Sequence, residues 1–375
     1  MSQQIDQILE QVLTLVKEKG ASGDVLLSAE SQLGLKTNGG ELSEYKVTSS
    51  RTVGVRVVVG DQIGTSYSES TRAEDLTKMV SAAVENAGYA KQNPHEKIRA
   101  AEQTVPDWSA EICQEDETAQ QAKIDLALSL ESGLMNRGVD AKAPYNGFNE
   151  LEHSLHFANT LGHRCAHRER QFSCYTYALL SQEDKQSMHL GYQVGRRFES
   201  LSAQACVTEA YDTALALLDG APVESGQYDV VFNPECLNQL FSAFGMCWSG
   251  LAAMKELNPY RSRLGESIAH SEFTLTDLPY IKGGFAIRGF DGEGFARRET
   301  AIVREGHLES LLHNSVTASH FKIKNTANAS RGTKGALAVA PAHLSISAGK
   351  QSVAETLAGT YLELISLQGV HSGAN

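Results

Sequence analysis

The stretch from Asn233 to Glu256, NPECLNQLFSAFGMCWSGLAAMKE, constrains this chain more than any other. Asn233 suits an N-cap, and Pro234 suits the first helical position, where its missing N–H costs nothing. Apolar residues then fall at Leu237, Leu240, Phe241, Phe244, Trp248, Leu251 and Ala252, a spacing that predicts one helix over 234–256. No charged residue stands between Glu235 and Lys255, so the helix is expected to be buried on most sides. Ser242, Ala243, Gly245, Ser249 and Gly250 are small enough to let other backbone approach. Asn238, Gln239 and the Ser/Gly content favour a buried core helix over a membrane span. The stretch has no His and no interior Asp or Glu, so it offers neither a metal ligand nor a general base.

The rest of the chain is organised around it. Residues 2–19 read as an amphipathic helix with Ile5, Ile8, Leu9, Val12, Leu15 and Val16 inward, stopped at Gly20. A strand over 24–30, an Asn38–Gly39 hairpin signal, an alternating run from Arg51 to Val59, a turn at Gly60–Asp61 and the strand QIGTSYS follow. A helix over 73–90, with Leu76, Met79, Val80, Ala83 and Val84 inward, closes a first unit spanning 1–91. Residues 92–116 hold two prolines and many polar residues and predict a linker. The same order recurs over 117–220: a helix over 117–136, strands over 150–160, 163–172, 174–182 and 187–198, and a helix over 202–218. This is a duplication of element order without residue identity.

From 226 to 375 the sequence turns toward Gly and β-formers. Strands are expected over 226–234, 283–312, 335–347 and 362–370, with a hairpin turn at Glu305–Gly306 and a short helix over 353–361. The predicted class is α+β: two helix–antiparallel meander–helix units, then a β-rich C-terminal domain around a central buried helix. The chain stops at Asn375 with no terminal cap, from which an incomplete last domain is expected.

Composition removes several function classes. A chain of 375 residues with 45 acidic and 33 basic side chains, net charge -12, is not built to neutralise phosphates, so no nucleic-acid partner is expected. The six cysteines form no CxxC pair and read as reduced thiols, and the N-terminus lacks an apolar signal core. A cytoplasmic protein with no membrane partner is expected. Neither GxxxxGK[ST] nor GxGxxG occurs.

Two clusters could carry chemistry. His153, His156, His163, Cys165 and His167 fall close together, and 163, 165 and 167 share one face of a strand, where two imidazoles and a thiol could meet zinc. Only Glu169 could complete that set, and Arg164, Arg168 and Arg170 oppose a cation, so a solvated strand face is the other reading. Asp291 and Glu293 beside Arg297 and Arg298 could form an acid/base site or a salt-bridged turn. Gly289, Gly292 and Gly294 around them mark backbone that turns tightly or admits another chain. Ser249 has no GxSxG context.

Taken in order, TVGVRVVVGDQIGTSYS, NPECLNQLFSAFGMCWSG and FDGEGFARRETAIVREGHLESLLHNS resemble the TldD/PmbA family, also called modulators of DNA gyrase. The last block fits that family's D-x-E-G, basic residue, I-x-x-G-x-L pattern. The resemblance implies a cytoplasmic proteolytic system of two related subunits, in which the TldD-like subunit carries zinc on the equivalent helix, written H-E-x-x-x-H. Phe241, Ser242 and Met246 stand where His, Glu and His would be. The likeness therefore implies a PmbA-type, TldE-type subunit without zinc, working with a zinc-bearing TldD-like partner on unfolded peptide. Asp291, Glu293, Gly294 and Arg298 are the residues expected to meet peptide or partner. The family continues past residue 375, where TldD-like subunits place a further cysteine ligand. A self-sufficient zinc hydrolase using His163, Cys165 and His167, a non-enzymatic scaffold and a simple homodimer remain the competing expectations.

Overall fold

Apolar residues at i, i+3 and i+4 wind the N-terminus into helix α1 (Ser2–Glu18). Ile5, Ile8, Leu9, Val12, Leu13 and Val16 are buried, while Leu15, expected inward, is only partly so. Gly20 adopts φ +68°, and Ala21 N–H returns to the Val16 carbonyl, a left-handed close that glycine accepts without strain. The computed structural model describes residues 2–100, 104–137, 140–285 and 287–370.

Strands β1 (Ser22–Asn38), β2 (Glu41–Val59) and β3 (Gln62–Ser68) follow, then α2 (Ala73–Tyr89). The β1–β2 turn centres on Gly39 and Gly40, at φ +65° and +78°, with Asn38 paired to Glu41. Two left-handed central residues give the hairpin turn whose twist matches the strands. The strands are much longer than the spans 24–30 and 51–59 expected, because positions 31–38 and 41–50 continue the pairing, with Leu33 and Leu35 buried among them.

The second unit repeats this plan. After α3 (Ser109–Ile112) come α4 (Gln120–Met135), β4 (Asp140–Lys142), β5 (Asn146–Asn159), β6 (Arg164–Gln182), β7 (Lys185–Gly195) and α5 (Ala203–Leu218). The two strands expected over 163–182 are one. A single sheet runs β3-β2-β1-β5-β6, with β7 and β4 also paired to β6, and the antiparallel β1–β5 ladder joins the units. A Cβ at Gly64 of β3 would collide with the Ala83 carbonyl of α2, and one at Gly191 of β7 with the Cys206 carbonyl of α5. Each unit thus seats its closing helix against a bare strand backbone at a glycine.

Alternation gives the sheet two faces. Val25, Leu27, Val53, Val55 and Val57 pack under α1 and α2, and Cys174, Ala178 and Leu180 under α4 and α5. On the opposite face, Leu26, Leu155 and Phe157 pack against Phe290 of the C-terminal domain. The described residues of 92–116 are bound across this junction instead of lying loose: the Arg99 carbonyl accepts from Asn159, His95 meets Ser319, and Val105 joins the Phe290 cluster.

The C-terminal part holds β8 (Val230–Phe232), α6 (Pro234–Ala243), a 3₁₀ turn (Gly245–Trp248), α7 (Gly250–Met254), β9 (Leu275–Leu278), β10 (Thr300–Arg304), β11 (His307–Leu308), α8 (Ser315–Phe321), β12 (Ala329–Ser330), β13 (Ala338–Val339), β14 (His343–Ile346), α9 (Val353–Thr356) and β15 (Leu362–Leu364). β11-β10-β9-β14 form a small antiparallel sheet. Two expectations fail here. The helix over 234–256 breaks after Ala243, and Ser249 accepts from Ala252 N–H as a fresh N-cap. Of the small residues expected to admit other backbone, Gly250 does so, lying against Leu312 and His313, while Ala243 and Ser249 mark where the helix ends and restarts. Nor is the segment buried on most sides: only Cys236, Cys247, Gly250 and Ala253 are buried. The described residues of 283–298 form turns and irregular backbone with one isolated bridge, Phe290 to Ala296, not strands. The Glu305–Gly306 turn does join β10 to β11.

Candidate functional site

The broken helix lines a groove of about 580 Å³. Phe241 stacks on Trp248 at 6.0 Å, and Trp248 on Tyr260 at 6.2 Å. Phe241, Trp248, Ile281, Phe285 and Pro341 give the groove an apolar lining, with His343 at its wall. Burial holds the His343 imidazole below its ordinary pKa. Ser242 is exposed and Met246 half-buried. The donor set does not fit zinc: Phe241 has no donor, Ser242 presents a neutral hydroxyl, and Met246 a soft thioether. What the groove can do is hold apolar side chains.

The His163 cluster does not assemble either. His163 donates from Nε2 to the Gly294 carbonyl at 2.7 Å, and His153 meets Ser28 Oγ at 2.9 Å. His167 and His153 both turn to Glu169, at 3.5 and 3.6 Å. Burial works to raise the Glu169 pKa, yet these two imidazoles and Arg196 hold its carboxyl well below the usual range. Burial, then the Asp291 charge, pushes the Cys165 thiol far up, and burial lowers His156. Among the described residues no three His, Cys, Asp or Glu side chains come together as a metal-ligand group. The reading of 163, 165 and 167 as a zinc site is corrected: adjacency on one strand face did not predict that each ring would find its own partner.

Asp291, Glu293 and Gly294 lie inside the junction between the sheet and the C-terminal domain, not on an open surface. Asp291 Oδ1 accepts from the N–H of Glu293 (2.9 Å) and Phe295 (3.0 Å), and Oδ2 from Ala329 N–H (3.0 Å). Burial and then the Glu293 charge push its pKa up to about 7. Glu293 accepts from Ser315 Oγ at 2.6 Å and Ser315 N–H at 2.8 Å, and pairs with Arg56 at 3.2 Å. Arg56, 2% exposed, also donates to Asp24 at 2.6 Å, and Arg331 reaches the other Asp24 oxygen at 2.6 Å. Gly294, at φ +84°, leaves room for the rings of Phe157 and His163. Arg298 stands apart, lining a different cleft.

Asp24, Arg56, Ser315 and Arg331 were missed in the sequence. Arg56 did carry a signal. A lone cation in the β-branched run TVGVRVVVG asks for a buried counter-charge. Its partner Glu293 lies 237 residues away, beyond any local pattern.

Three successive segments match the models of one family: residues 23–87 match PmbA/TldA metallopeptidase domain 1, 114–218 the central domain and 225–375 the C-terminal domain. Fold and matches together define a metallopeptidase-type chain by descent. The chain belongs to the PmbA/TldD family. It is 20% identical over 335 residues to a metalloprotease PmbA homolog of Haemophilus influenzae, spanning 87% of this chain and 73% of that one. Its fold superposes on a Thermotoga maritima protein named as a modulator of a DNA gyrase with a TM-score of 0.86, 20% identity and coverage of 99% of this chain and 84% of the other. TldE of Thermococcus kodakarensis gives 0.82, 15% identity, 93% and 79%.

Proposed function

We propose that this protein is a non-catalytic, peptide-holding subunit of a two-subunit cytoplasmic metalloprotease, and that a TldD-like partner supplies the zinc. The observation that carries this reading is the character of the groove at 241–248: aromatic stacking where a catalytic chain of this type would need imidazoles and a carboxylate. Two features support a peptide as the guest. The groove is apolar and open to extended chain. It is walled in part by residues 339–344, and β14 is the outer strand of its sheet, an edge that a guest strand could extend. Backbone pairing would favour unfolded chains over folded domains, whose strands are already paired. Among the described residues no helix is long and apolar enough to cross a membrane.

The test mixes this chain with a TldD-like chain and follows cleavage of an unstructured peptide and of a stable folded domain. Cleavage confined to the mixture and to the unstructured peptide is expected. Chelator-sensitive cleavage by this chain alone, or no association at micromolar concentration, would reject the proposal.

A further inference from the structure

A second cleft, of about 500 Å³, opens between β10, the approach to α8 and the segment that leaves α8. It shares no lining residue with the aromatic groove. Its polar wall holds Arg298, His313, Lys324 and Asn325, and its edge holds the exposed apolar side chains Leu264 and Ile323.

Two donors in that wall have no acceptor. Asn325 Oδ1 accepts from Ala327 N–H at 2.9 Å, which fixes the amide orientation and leaves Nδ2 as the free end. That Nδ2 is buried and unpartnered, and so is Nε of Arg298. A buried N–H without an acceptor is a standing penalty that an incoming acceptor removes. The other charges are accounted for. Arg304, in the same wall, is paired with Glu309 at 2.7 Å. Among the described residues Arg298 and Lys324 make no ion pair, and the exposed Glu299 is the one remaining carboxylate of the lining. The cleft is therefore locally cationic on a chain whose net charge is -12. Burial holds His313 down to about 4, so it adds no charge near neutrality.

We propose that this cleft binds a carboxylate carried on a small apolar group, such as the last residue of a peptide. The Arg298 guanidinium and the Asn325 amide donate to the two carboxylate oxygens, an arrangement in which arginine is stronger and more directional than a point charge. Leu264 and Ile323 cover the apolar group. Pockets of this kind combine an apolar lining with a few fixed polar groups that orient the guest. The inference needs neither the partner subunit nor proteolysis, so its failure would leave the proposed function untouched.

Isothermal titration of the full chain with N-acetyl-L-leucine, N-acetyl-L-leucinamide and inorganic phosphate tests it. The acid is expected to bind, with the amide weaker by about tenfold or more, since only the carboxylate makes charge-assisted hydrogen bonds. Arg298→Met should weaken the acid by a similar factor. Asn325→Asp keeps the oxygen that accepts from Ala327 but replaces the free donor by a second oxygen, so it should abolish binding with an unchanged circular dichroism spectrum. It decides the matter alone if Arg298→Met does not fold. Equal binding of acid and amide, preference for phosphate, no heat from any probe at several millimolar, or acid binding unaltered in Asn325→Asp would overturn the proposal.

Discussion

The two halves of the duplicated sheet share one backbone plan and differ in what covers their outer faces. In the first half, Asp24, Leu26, Gly54 and Arg56 occupy the positions facing away from the helices. The C-terminal domain closes on them so tightly that a Cβ at Gly54 would collide with the Thr333 backbone. In the second half, Leu155 and Phe157 of β5 share that cover, but beyond them the same face carries Tyr175 opposite Tyr192, Tyr177 opposite Leu190 and Leu179 opposite Met188. Tyr192 and Met188 are 40% and 50% exposed, and Tyr145 stands edge-on to Tyr177 at 5.8 Å. The contrast is one of side-chain choice. A glycine and a buried charge pair demand a specific cover, while tyrosines tolerate water at their hydroxyl end.

The largest effect should come from the charges under the covered half. Arg56→Met leaves Asp24 and Glu293 buried with one shared cation fewer, and breaking a buried pair typically costs about 3–5 kcal/mol. Urea unfolding should show a loss of that order together with faster proteolysis between the sheet and the C-terminal domain. A loss below about 1 kcal/mol would mean the junction is held by packing alone.

Next come the glycines. Gly54→Ala forces a methyl into the Thr333 backbone, and overpacking of this kind costs about 1–3 kcal/mol or more. Gly64→Ala and Gly191→Ala test the duplication itself. Both press a methyl into a helix carbonyl, so their losses in denaturant midpoint should agree within about 1 kcal/mol. Widely different losses would show that the two helix seats are not equivalent.

Asp291 links the junction to pH. Its folded pKa, up to about 7, lies above the unfolded value. Its contribution to stability is therefore fully present below about pH 4 and is lost as pH rises through about 7. Asp291→Asn keeps an acceptor for Glu293 and Phe295 but cannot ionise. The midpoint of wild type relative to this variant should fall between pH 5 and pH 8, and a constant difference would place the charge elsewhere. The smallest effect belongs to the exposed β6–β7 face. Tyr192→Ser and Met188→Ser should each change stability by less than about 0.5–1 kcal/mol, as exposed positions do.

The helix–meander–helix plan was legible because its signals are local. The stripe of α1, the Asn38–Gly39 signal, one residue ahead of the observed Gly39–Gly40 turn, and the Gly60–Asp61 turn each act within a few residues. The candidate site was legible only in part. Phe241, Ser242 and Met246 identify what the segment cannot bind, since ligand chemistry is a property of the side chain itself. The groove that Phe241 and Ser242 line was not legible, because residues 339–344 reach it from about a hundred positions further along the chain. The break after Ala243 was missed because the apolar spacing on both sides continues through it, and only the Ser249 cap separates α6 from α7.

By itself the sequence determined the helix–meander–helix plan of 1–220, the α+β class, the family and the absence of zinc-type donors at 241, 242 and 246. Tertiary structure alone decided that Asp291 and Glu293 lie inside a junction, that His163 serves the Gly294 carbonyl instead of a metal, and that the outer face of the sheet is covered over β1, β2 and β5 but exposed at its β6–β7 end. The physical reason is range. Periodicity, caps and turns are settled by neighbours a few residues apart. The partner of a buried charge is set by which distant strand the fold brings within 3 Å of it, as Arg56 and Glu293 illustrate across 237 residues.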